Sequence, residues 1–316
     1  MAEDKKRLII IDGNSVIHRA YHALPRLSTK DGVLVNAVYG FLLVFLKAVK
    51  EFNPDCIVAV FDFPAPTFRH KKFEQYKAKR PPAPKELYEQ IPMVKRFLDV
   101  FNVAFYEKEG FEADDLLGTV SLQFVRKQAF PPAEVIIISG DNDVLQLVDK
   151  STKAYILRKG IKDTVLYDEA LVKEKYEGLE PFQLDDYKGL RGDPSDNIPG
   201  VRGVGEKTAI DLMKKFGSLD NIYSAISQGN WKGKIPEGTK KILEEHKEEA
   251  FFSKALAGIS RDVPIDFNLK DCQWKEYNKE KVVNMLNEYE FFSLISRLPS
   301  PGASVKEASK ENLKLW

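Results

Sequence analysis

The sequence predicts an α/β protein in which a parallel sheet, covered by helices on both faces, is followed by a helical region. Three observations support this prediction. The apolar runs at residues 7–12, 55–62 and 134–139 lack polar alternation, which is typical of strands buried on both faces. Helical segments separate these runs, as parallel strands require. After about residue 180 no further strand pattern occurs.

The remaining elements follow in order from periodicity and from turn residues. In the first half we expect a short strand at 102–106 and two edge strands at 153–157 and 164–167. We also expect five helices in this half, over 15–24, 35–52, 85–101, 116–124 and 144–148. In the second half we expect helices over 181–190, 210–216, 219–227, 239–257 and 279–298. Residues 299–316 contain turn formers and mixed charge, and are expected to form a loose tail.

Composition narrows the class of protein. The chain has 316 residues, 43% of them hydrophobic and 30% charged, which suggests two domains of a globular protein. No apolar run approaches the roughly 20 residues that cross a membrane, and the charged N-terminus does not resemble a signal peptide. Cys56 and Cys272 are too few and too far apart to suggest a disulfide framework or a zinc site. These features predict a cytoplasmic protein with no membrane partner.

The segment Glu112-Ala113-Asp114-Asp115 places three carboxylates at the predicted start of a helix. Two like charges about 4 Å apart repel by roughly 4 kcal/mol at an effective dielectric constant near 20. A helix N-terminus returns only about 0.3–1 kcal/mol per carboxylate. Two interpretations are therefore open: a solvated helix start, where acidic residues are common, or a site for a hard cation such as Mg²⁺ or Mn²⁺.

Further carboxylates favour the metal site. Asp12, Asp62 and the pair Asp141 and Asp143 each occur where a predicted strand stops. Glu112, Asp114 and Asp115 follow a fourth predicted strand after a short loop. Because ligands of parallel sheets bind beyond the carboxyl ends of the strands, the topology brings at least seven acidic residues to one edge. A single strand-end Asp is often only a helix cap. Four strand ends with this property predict a metal site.

Residues 69–80 form a basic run, with six Lys or Arg residues against one Glu; Phe68 precedes the run, and Phe73 and Tyr76 are interleaved in it. Alternating cations and rings suit a groove that follows a nucleic-acid backbone, although a charge run is often only a solvated face. Because the run begins a few residues after Asp62, we expect it to lie above the metal site. The net charge of +1 is then the sum of opposed local blocks.

The glycine-rich segment over residues 200–208 resembles two nucleotide motifs but matches neither. A P-loop needs Gly-Lys-Ser/Thr after a strand, whereas Glu206 separates Gly205 from Lys207 here. The dinucleotide fingerprint needs G-x-G-x-x-G, and the order is G-x-x-G-x-G. What remains is either a plain helix–turn–helix connection or a glycine hairpin whose backbone N–H groups hold a phosphate. Asp193 and Asp196 lie just upstream, and we expect them to project toward the acidic cluster.

These residues together resemble the 5′-nuclease domain of bacterial DNA polymerase I and, more distantly, the flap endonucleases. The matching segments run in the family's order from about residue 7 to residue 297: Ile11-Asp12-Gly13-Asn14-Ser15, Val60-Phe61-Asp62, Thr67-Phe68-Arg69, Tyr76-Lys77-Ala78-Lys79-Arg80-Pro81-Pro82, Glu112-Ala113-Asp114-Asp115, Gly140-Asp141-Asn142-Asp143 and Gly192-Asp193-Pro194-Ser195-Asp196-Asn197-Ile198-Pro199-Gly200-Val201. The stretch 299–316 shows no match.

The resemblance implies a PIN-like parallel-sheet nuclease domain with a helical arch, followed by a helix-hairpin-helix (H3TH) domain. The implied bounds are 1–180 for the catalytic domain, about 65–95 for the arch, 181–262 for the helix-hairpin-helix domain, 263–298 for a helical segment that packs back on the core, and 299–316 for the tail.

The resemblance also implies roles for individual residues. It implies ligands of a first Mg²⁺ ion at Asp12, Asp62, Glu112 and Asp114. It implies direct or water-mediated ligands of a second ion at Asp115, Asp141, Asp143, Asp193 and Asp196. The arch and gateway positions that handle the scissile phosphodiester correspond to Arg19, Arg69, Tyr76, Lys77 and Arg80. The duplex-binding residues correspond to Lys79, Arg202, Gly203, Gly205, Lys207 and Thr208, with a K⁺ ion at the hairpin and with Mn²⁺ as an alternative to Mg²⁺.

The implied function is structure-specific 5′-3′ exonuclease or flap endonuclease cleavage of branched or nicked DNA, with removal of 5′ flaps and RNA primers in replication and repair. The expected protein is a bacterial, nucleoid-associated monomer that works with a polymerase in cis or in trans. Two other classes remain open: a DNA-binding module without catalysis, and an RNA-cutting PIN-type nuclease. A haloacid-type phosphatase is disfavoured, because it needs an Asp where Asn14 stands.

Overall fold

The computed structural model describes residues 5–128, 132–274 and 277–299. Six strands form one sheet: β1 (Lys6–Asp12), β2 (Cys56–Val60), β3 (Ala104–Tyr106), β4 (Ala133–Ser139), β5 (Thr152–Leu157) and β6 (Thr164–Tyr167). Their spatial order is β3-β2-β1-β4-β5-β6, in which the first five are parallel and β6 pairs antiparallel with β5. The predicted α/β class with a mostly parallel sheet is confirmed.

The helices of the first domain cover both faces of this sheet. They are α1 (Gly13–Ala23), α2 (Asn36–Phe52), α3 (Phe68–Lys72), α4 (Lys85–Tyr88), α5 (Ile91–Val100), α6 (Ala113–Lys127) and α7 (Glu169–Lys175). Alternate residues of the strands face opposite cores, so that Ile9 and Ile11 pack with α2 and α5 whereas Leu8 and Ile10 pack with α6. All four side chains are buried. This two-sided burial explains why the strands are continuous apolar runs.

The second domain is helical. It contains α8 (Leu184–Arg191), α9 (Glu206–Phe216), α10 (Leu219–Ser227), α11 (Glu237–Glu245) and α12 (Lys247–Ala257), which share a separate core. The chain then returns to the first domain through α13 (Lys279–Glu288) and α14 (Phe292–Ile295). Residues of this return contact both faces of the sheet, including Val263 and Phe267 on one face and Val282 and Leu286 on the other. No helix of the described ranges is long and apolar enough to cross a membrane.

Several predicted helices are shorter than expected. The helix expected over 85–101 is divided into α4 and α5, and Pro92, which cannot donate a hydrogen bond, lies in the first turn of α5. The helix expected over 279–298 is divided because Glu290 has a left-handed φ of 59°. The one expected over 239–257 is interrupted at His246. Of the predicted tail, residues 300–316 lie outside the described residues.

The segment predicted as a helical arch contains the short helices α3 and α4, with turns and irregular backbone between them, and ends in the first residues of α5. It lies against the second domain, since the Lys77 N–H donates to the Asp196 carbonyl at 2.9 Å and the Asn197 side chain donates to the Gln75 carbonyl at 2.8 Å. The basic run is thus held beside the loop that carries Asp193 and Asp196.

Two glycines allow this loop to form. The N–H and carbonyl groups of Asp193 and Ile198 pair at 2.9 Å, which closes the loop at its base. Gly200 has a φ of +66°, and a Cβ at this position would lie 2.2 Å from the Gly192 nitrogen. Gly192 has a φ of +77°, and a Cβ at this position would lie 2.7 Å from the carbonyl oxygens of Ile198 and Pro199. Only glycine combines this backbone conformation with this separation.

Candidate active site

Asp12 is placed by the end of β1 and the start of α1. Its side chain caps α1 by accepting a hydrogen bond from the Ser15 N–H at 3.0 Å, and its second oxygen accepts one from the Ser139 hydroxyl at 2.7 Å. Ser139 ends the neighbouring strand β4, so that two strand ends fix one buried carboxylate.

Asp62 and Glu112 are brought together by the next strand and by α6. The Asp62 carboxylate accepts a hydrogen bond from the Ala113 N–H at 2.8 Å, at the first residue of α6. Glu112 is the N-cap residue of that helix and is buried. Asp114 follows in its first turn. The acidic stretch therefore begins a helix, as both sequence interpretations required, and it also faces the carboxyl ends of the strands.

A cavity of about 270 Å³ lies at this edge of the sheet. Its wall is formed by five carboxylates, two cations and four other residues: Asp12, Asp62, Glu112, Asp114, Asp141, Lys77, Arg80, Asn14, Ser15, His18 and Ala113. The predicted convergence of carboxylates from several strand ends is thus present in the structure. Asp143, Asp193 and Asp196 lie beside this cavity. The Asp143 N–H donates to the Asp141 carboxylate at 2.9 Å, Lys188 joins Asp143 to Asp193, and Asp196 pairs with Arg80.

Burial raises the pKa values of Asp12, Asp62 and Asp114, so these three cavity carboxylates hold protons more tightly than ordinary carboxylates. Burial raises the pKa of Asp12 to about 7, and the charges of Asp62 and Asp141 add to this shift. Enclosure raises the pKa of Asp114 well above its usual range, with further contributions from Asp12 and Asp141. The Asp143 side chain keeps 27% of its surface exposed, yet the surrounding protein raises its pKa to about 6. A cluster that resists ionisation in this way is suited to a cation.

Three cationic side chains compensate part of this charge. Lys77 Nζ lies 2.8 Å from a Glu112 oxygen, and the Arg80 guanidinium forms an ion pair with Asp196. Lys188 connects the two domains, because its Nζ lies 2.5 Å from Asp143 and 2.7 Å from Asp193.

The pKa of Asp193, the carboxylate of the second domain, shifts in the opposite direction from that of Asp143. Burial favours a raised pKa at Asp193, but the charge and hydrogen bond of Lys188 together with the hydrogen bonds from Ser195 outweigh burial and lower the pKa to about 2. The Asp193 carboxylate also accepts hydrogen bonds from Ser195.

The donor set is suited to a hard divalent cation, since it consists of carboxylate oxygens. Within the described residues, however, no three Asp, Glu, His or Cys side chains are grouped closely enough to hold an ion as they stand. Lys77, Arg80 and Lys188 instead occupy several of the oxygens. A metal ion therefore requires these cations to move or the carboxylates to rotate.

Arg69 and Asp115 do not have the accessibility that their predicted roles require. Both are buried, and they form a two-pronged ion pair with N–O distances of 2.8 Å. The expectation that Arg69 handles a phosphodiester and that Asp115 ligates a metal ion comes from the resemblance of the motifs to the family. In this structure each side chain is committed to internal partners.

Tyr76 also differs from the expectation. Only 3% of it is exposed, and its hydroxyl donates toward Glu112 at 3.1 Å and Asp196 at 3.2 Å. Burial raises its pKa, so that the hydroxyl stays protonated and can donate. The ring is not presented to a groove where a base could stack on it.

Arg19 and Lys79 lie near the cavity in different ways. The Arg19 guanidinium donates to the Gly140 carbonyl at 2.8 Å and so supports the loop that carries Asp141 and Asp143. Lys79 is exposed beside Arg80. Neither residue is among those that line the cavity.

The glycine hairpin is an exposed structure with a buried anchor. Val201 and Val204 are buried in the core of the second domain, whereas the intervening Gly203 is exposed with a φ of +93°. Gly205 precedes α9, and a Cβ there would meet open space. Arg202, Lys207 and the first turn of α9 are accessible on the same side, with Thr208 partly so. This arrangement can hold an anion at a helix N-terminus.

Three further residues belong to the site but were not singled out from the sequence. His18 lines the cavity, Ser139 donates to Asp12, and Lys188 joins Asp143 to Asp193. His18 follows Ser15 by one helical turn, and Ser139 ends an apolar strand as Asp12 does, so that spacing could have indicated both. Lys188 has no such signal, because its partners come from two domains.

Comparison with known protein families establishes the family to which the chain belongs. The family model described as "5'-3' exonuclease, N-terminal resolvase-like domain" matches residues 7–177, which is more than half of the chain. The model described as "5'-3' exonuclease, C-terminal SAM fold" matches residues 179–280. The chain belongs to the 5′-3′ exonuclease family. Membership confirms the resemblance seen in the motifs and identifies the chain as a nuclease.

Curated relatives of this 5′-3′ exonuclease family member include DNA polymerase I proteins. DNA polymerase I of Bacillus subtilis (strain 168) is 41% identical over 304 residues, which is 96% of this chain and 33% of the relative. DNA polymerase I of Bacillus caldotenax is 42% identical over 299 residues, covering 95% of this chain and 33% of the relative. The chain spans about a third of the length of these relatives.

Solved structures share the fold of this family member. A bacteriophage T5 flap endonuclease, crystallised as a pseudo-enzyme–product complex with DNA and metal ions, aligns with a TM-score of 0.64 at 18% identity and covers 80% of this chain and 89% of its own. The catalytic core of Rad2 in complex with DNA aligns with a TM-score of 0.54 at 16% identity, over 91% and 88% of the two chains. These similarities support the α/β domain followed by a helical domain.

Proposed function

We propose that this member of the 5′-3′ exonuclease family is a structure-specific 5′ nuclease that hydrolyses DNA phosphodiesters with two divalent metal ions and removes 5′ flaps and RNA primers. The observation that carries the proposal is the cavity in which five carboxylates, brought there by four strand ends, face Lys77 and Arg80. A protein that only binds DNA gains nothing from carboxylates that repel its backbone. The DNA and metal ions bound by the T5 flap endonuclease are consistent with the same ligands here.

Mg²⁺, with Mn²⁺ as an alternative, fits the oxygen-only donor set. Asp12, Asp62, Glu112 and Asp114 would hold one ion, and Asp141, Asp143, Asp193 and Asp196 would hold the second directly or through water. When bound, the two ions supply Lewis-acid activation of water and stabilise the attacking and leaving oxygens of an in-line displacement.

The chain's own residues supply the remaining functions. Lys77 and Arg80 already approach the carboxylates, so a small movement brings both cations to the phosphate between them, where they offset developing negative charge. The exposed hairpin at Gly203 and Gly205 would bind a phosphate of the duplex at a distance from the cavity, together with a K⁺ ion. The products would be a 5′-phosphate and a 3′-hydroxyl. Because the relatives are DNA polymerase I proteins, we propose that a polymerase extends the 3′ end that the nuclease then meets.

The test is cleavage of a 5′-labelled double-flap DNA with Mg²⁺, with EDTA as the metal-free control and with binding measured separately. We expect cuts close to the junction, and no cleavage in EDTA. Tight binding without cleavage would instead indicate a binding module. Preferential cleavage of single-stranded RNA would indicate an RNA-cutting nuclease.

Replacing Lys77 with Met is expected to lower the cleavage rate by about 10²-fold, the usual effect of removing one charge-stabilising donor. Met keeps most of the aliphatic stem but cannot neutralise the phosphate. Single-turnover cleavage of the flap substrate measures the effect. Lys281→Met is the matched control. This lysine is exposed on α13, and α13 packs on the face of the sheet opposite α6. Equal rates for the two variants would contradict the role of Lys77.

Stability should depend on pH and on the metal ion together. Asp12 and Asp143, with pKa values of about 7 and about 6, bind more protons in the folded protein than in the unfolded chain at mildly acidic pH. Stability of the metal-free protein therefore falls as pH rises from about 4 to about 7. Mg²⁺ binds the deprotonated carboxylates, so its apparent affinity should rise roughly tenfold per pH unit for each proton displaced.

Thermal melting with and without Mg²⁺, at about pH 5.5 and about pH 7.5, measures this coupling. We expect the metal-induced increase in melting temperature to be much larger at the higher pH. A monovalent salt at equal ionic strength is the control. An increase that does not change with pH would mean that the cavity carboxylates do not bind the ion.

A further inference from the structure

Arg69 is connected to three parts of the protein at once. Its Nε donates to the Leu256 carbonyl at 2.9 Å, and one terminal nitrogen donates to the Gly258 carbonyl at 2.7 Å. Both terminal nitrogens also reach Asp115 at 2.8 Å, and one reaches Glu112 at 3.3 Å. All five N–H donors of the guanidinium are used in this way. None is left for a phosphate.

Asp115 is equally occupied. Besides the two bonds from Arg69, one of its oxygens accepts from the Ser260 N–H at 2.9 Å and the other accepts from the Glu112 N–H at 3.1 Å. The carboxylate is fully buried. Its neighbour Asp114, by contrast, lines the cavity. Of these two adjacent carboxylates in one helix turn, Asp114 therefore faces the cavity and Asp115 is bound to internal partners.

The pair lies where the second domain meets the cavity. Leu256 lies in the last turn of α12 and residues 258–260 follow this helix directly, whereas Glu112 and Asp115 are at the start of α6 and Arg69 belongs to α3 at the start of the basic run. The backbones approach closely here, since a Cβ on Gly118 of α6 would lie 2.9 Å from the Ser260 carbonyl oxygen. The Arg69–Asp115 pair therefore joins the start of α6 to the end of α12 and the residues that follow it.

We propose that Arg69 and Asp115 form a positioning pair that fixes the helical domain relative to the carboxylate cavity, and so determines which phosphodiester is cut. The second part rests on the proposed nuclease function. If the exposed hairpin holds the duplex and the carboxylates hold the reacting phosphate, the distance between the hairpin and the cavity determines which phosphodiester is cut. Rotation of α12 against α6 changes that distance.

Two variants test the pair without removing its whole volume. Arg69→Lys keeps the charge but loses the planar fork that binds the carboxylate and two carbonyls together. Asp115→Asn keeps the shape but loses the charge. Thr119→Val is the matched control, because the Thr119 hydroxyl accepts a hydrogen bond from the Val263 N–H at 3.0 Å on the same helix, in a buried contact outside the pair.

The first readout is the distance between spin labels at Lys281→Cys and Lys241→Cys, which lie on exposed positions of the two domains. Native Cys56 and Cys272 are buried and should escape labelling. We expect a broader or shifted distance distribution in Arg69→Lys and Asp115→Asn, and an unchanged one in Thr119→Val. This readout needs neither metal nor DNA, so it tests the pair even if the chain does not cleave a flap.

The second readout is the map of cut positions on a flap DNA. We expect both pair variants to cut at neighbouring phosphodiesters as well, and to lose about 10²-fold in rate at the main position, since a misplacement of about 1 Å has that effect. If rates fall but the cut positions and the label distances match those of Thr119→Val, the pair is merely stabilising. If Arg69→Lys alone loses cleavage with distances unchanged, Arg69 contacts substrate. Either result would overturn the proposal.

Discussion

Asp114→Asn is expected to lower flap cleavage by at least about 10³-fold, because a missing ligand removes several kcal/mol of transition-state stabilisation. Among the described residues, no hydrogen bond or salt bridge is formed to the Asp114 carboxylate, so its oxygens remain available for an ion. Single-turnover cleavage with Mg²⁺ gives the rate. Titration with Mn²⁺, followed by electron paramagnetic resonance, gives the number of ions bound.

The same substitution should raise the stability of the metal-free protein. Enclosure and the neighbouring charges of Asp12 and Asp141 raise the pKa of Asp114, which means that the ionised form is unfavourable in the folded state. At neutral pH and above, a neutral Asn relieves that repulsion, and the melting temperature should increase. A gain of stability with loss of activity is the expected sign of a functional carboxylate.

Asp99→Asn is the matched control for Asp114→Asn, since Asp99 is exposed on α5. It should change neither cleavage nor the number of bound ions. The assignment of Asp114 fails if its variant retains more than about a tenth of the wild-type rate, a loss of less than 1.4 kcal/mol.

Gly200→Ala is expected to destabilise the protein by about 2–5 kcal/mol, from the left-handed backbone together with overpacking. The new Cβ would lie 2.2 Å from the Gly192 nitrogen and 2.5 Å from the Arg191 carbonyl carbon, and backbone atoms cannot rotate away as a side chain can. Urea denaturation measures the loss. Because the loop carries Asp193 and Asp196, cleavage should fall as well.

Gly238→Ala provides the opposite case. A Cβ on Gly238 meets open space, the residue lies in the first turn of α11, and its backbone is not left-handed. Alanine there should stabilise by about 0.4–1 kcal/mol, because it restricts the unfolded chain. Equal effects of the two substitutions would show that the contact of Gly200 with Gly192 is not maintained in solution.

The carboxylate cavity could be predicted because it follows from topology. Once three buried apolar runs were recognised as parallel strands, their carboxyl ends had to share an edge, and Asp12, Asp62 and Asp141 were brought together. The Gly203 hairpin could be predicted for a similar reason, since glycine spacing indicates a tight exposed turn. The cavity follows from local sequence and one rule of sheet geometry, and the hairpin follows from local sequence alone.

The sequence could not predict that Asp114 lines the cavity whereas Asp115 is buried against Arg69. This difference depends on Arg69 and Ser260, which are 46 and 145 residues away from Asp115. The burial of Tyr76 likewise depends on Asp196. Periodicity and spacing contain no information on which of two neighbouring carboxylates finds a distant partner.

Helix α7 was not predicted, although the sequence contains residues that mark its start and its end. Asp168 is its N-cap and accepts a hydrogen bond from the Leu171 N–H at 3.0 Å, and Lys173 and Lys175 follow in its last turn. Capping residues of this kind mark a helix start.

The return of the chain to the first domain has a consequence for synthesis on the ribosome. Tyr277, Val282, Leu286 and Leu294 complete the core that Ile9 and Ile11 begin, more than 260 residues earlier. The first domain therefore cannot close its hydrophobic core until nearly 300 residues have left the exit tunnel. The helical domain between them is complete by α12 and is free to fold first. Folding should thus proceed from the middle of the chain outward, with the nuclease cavity assembled last.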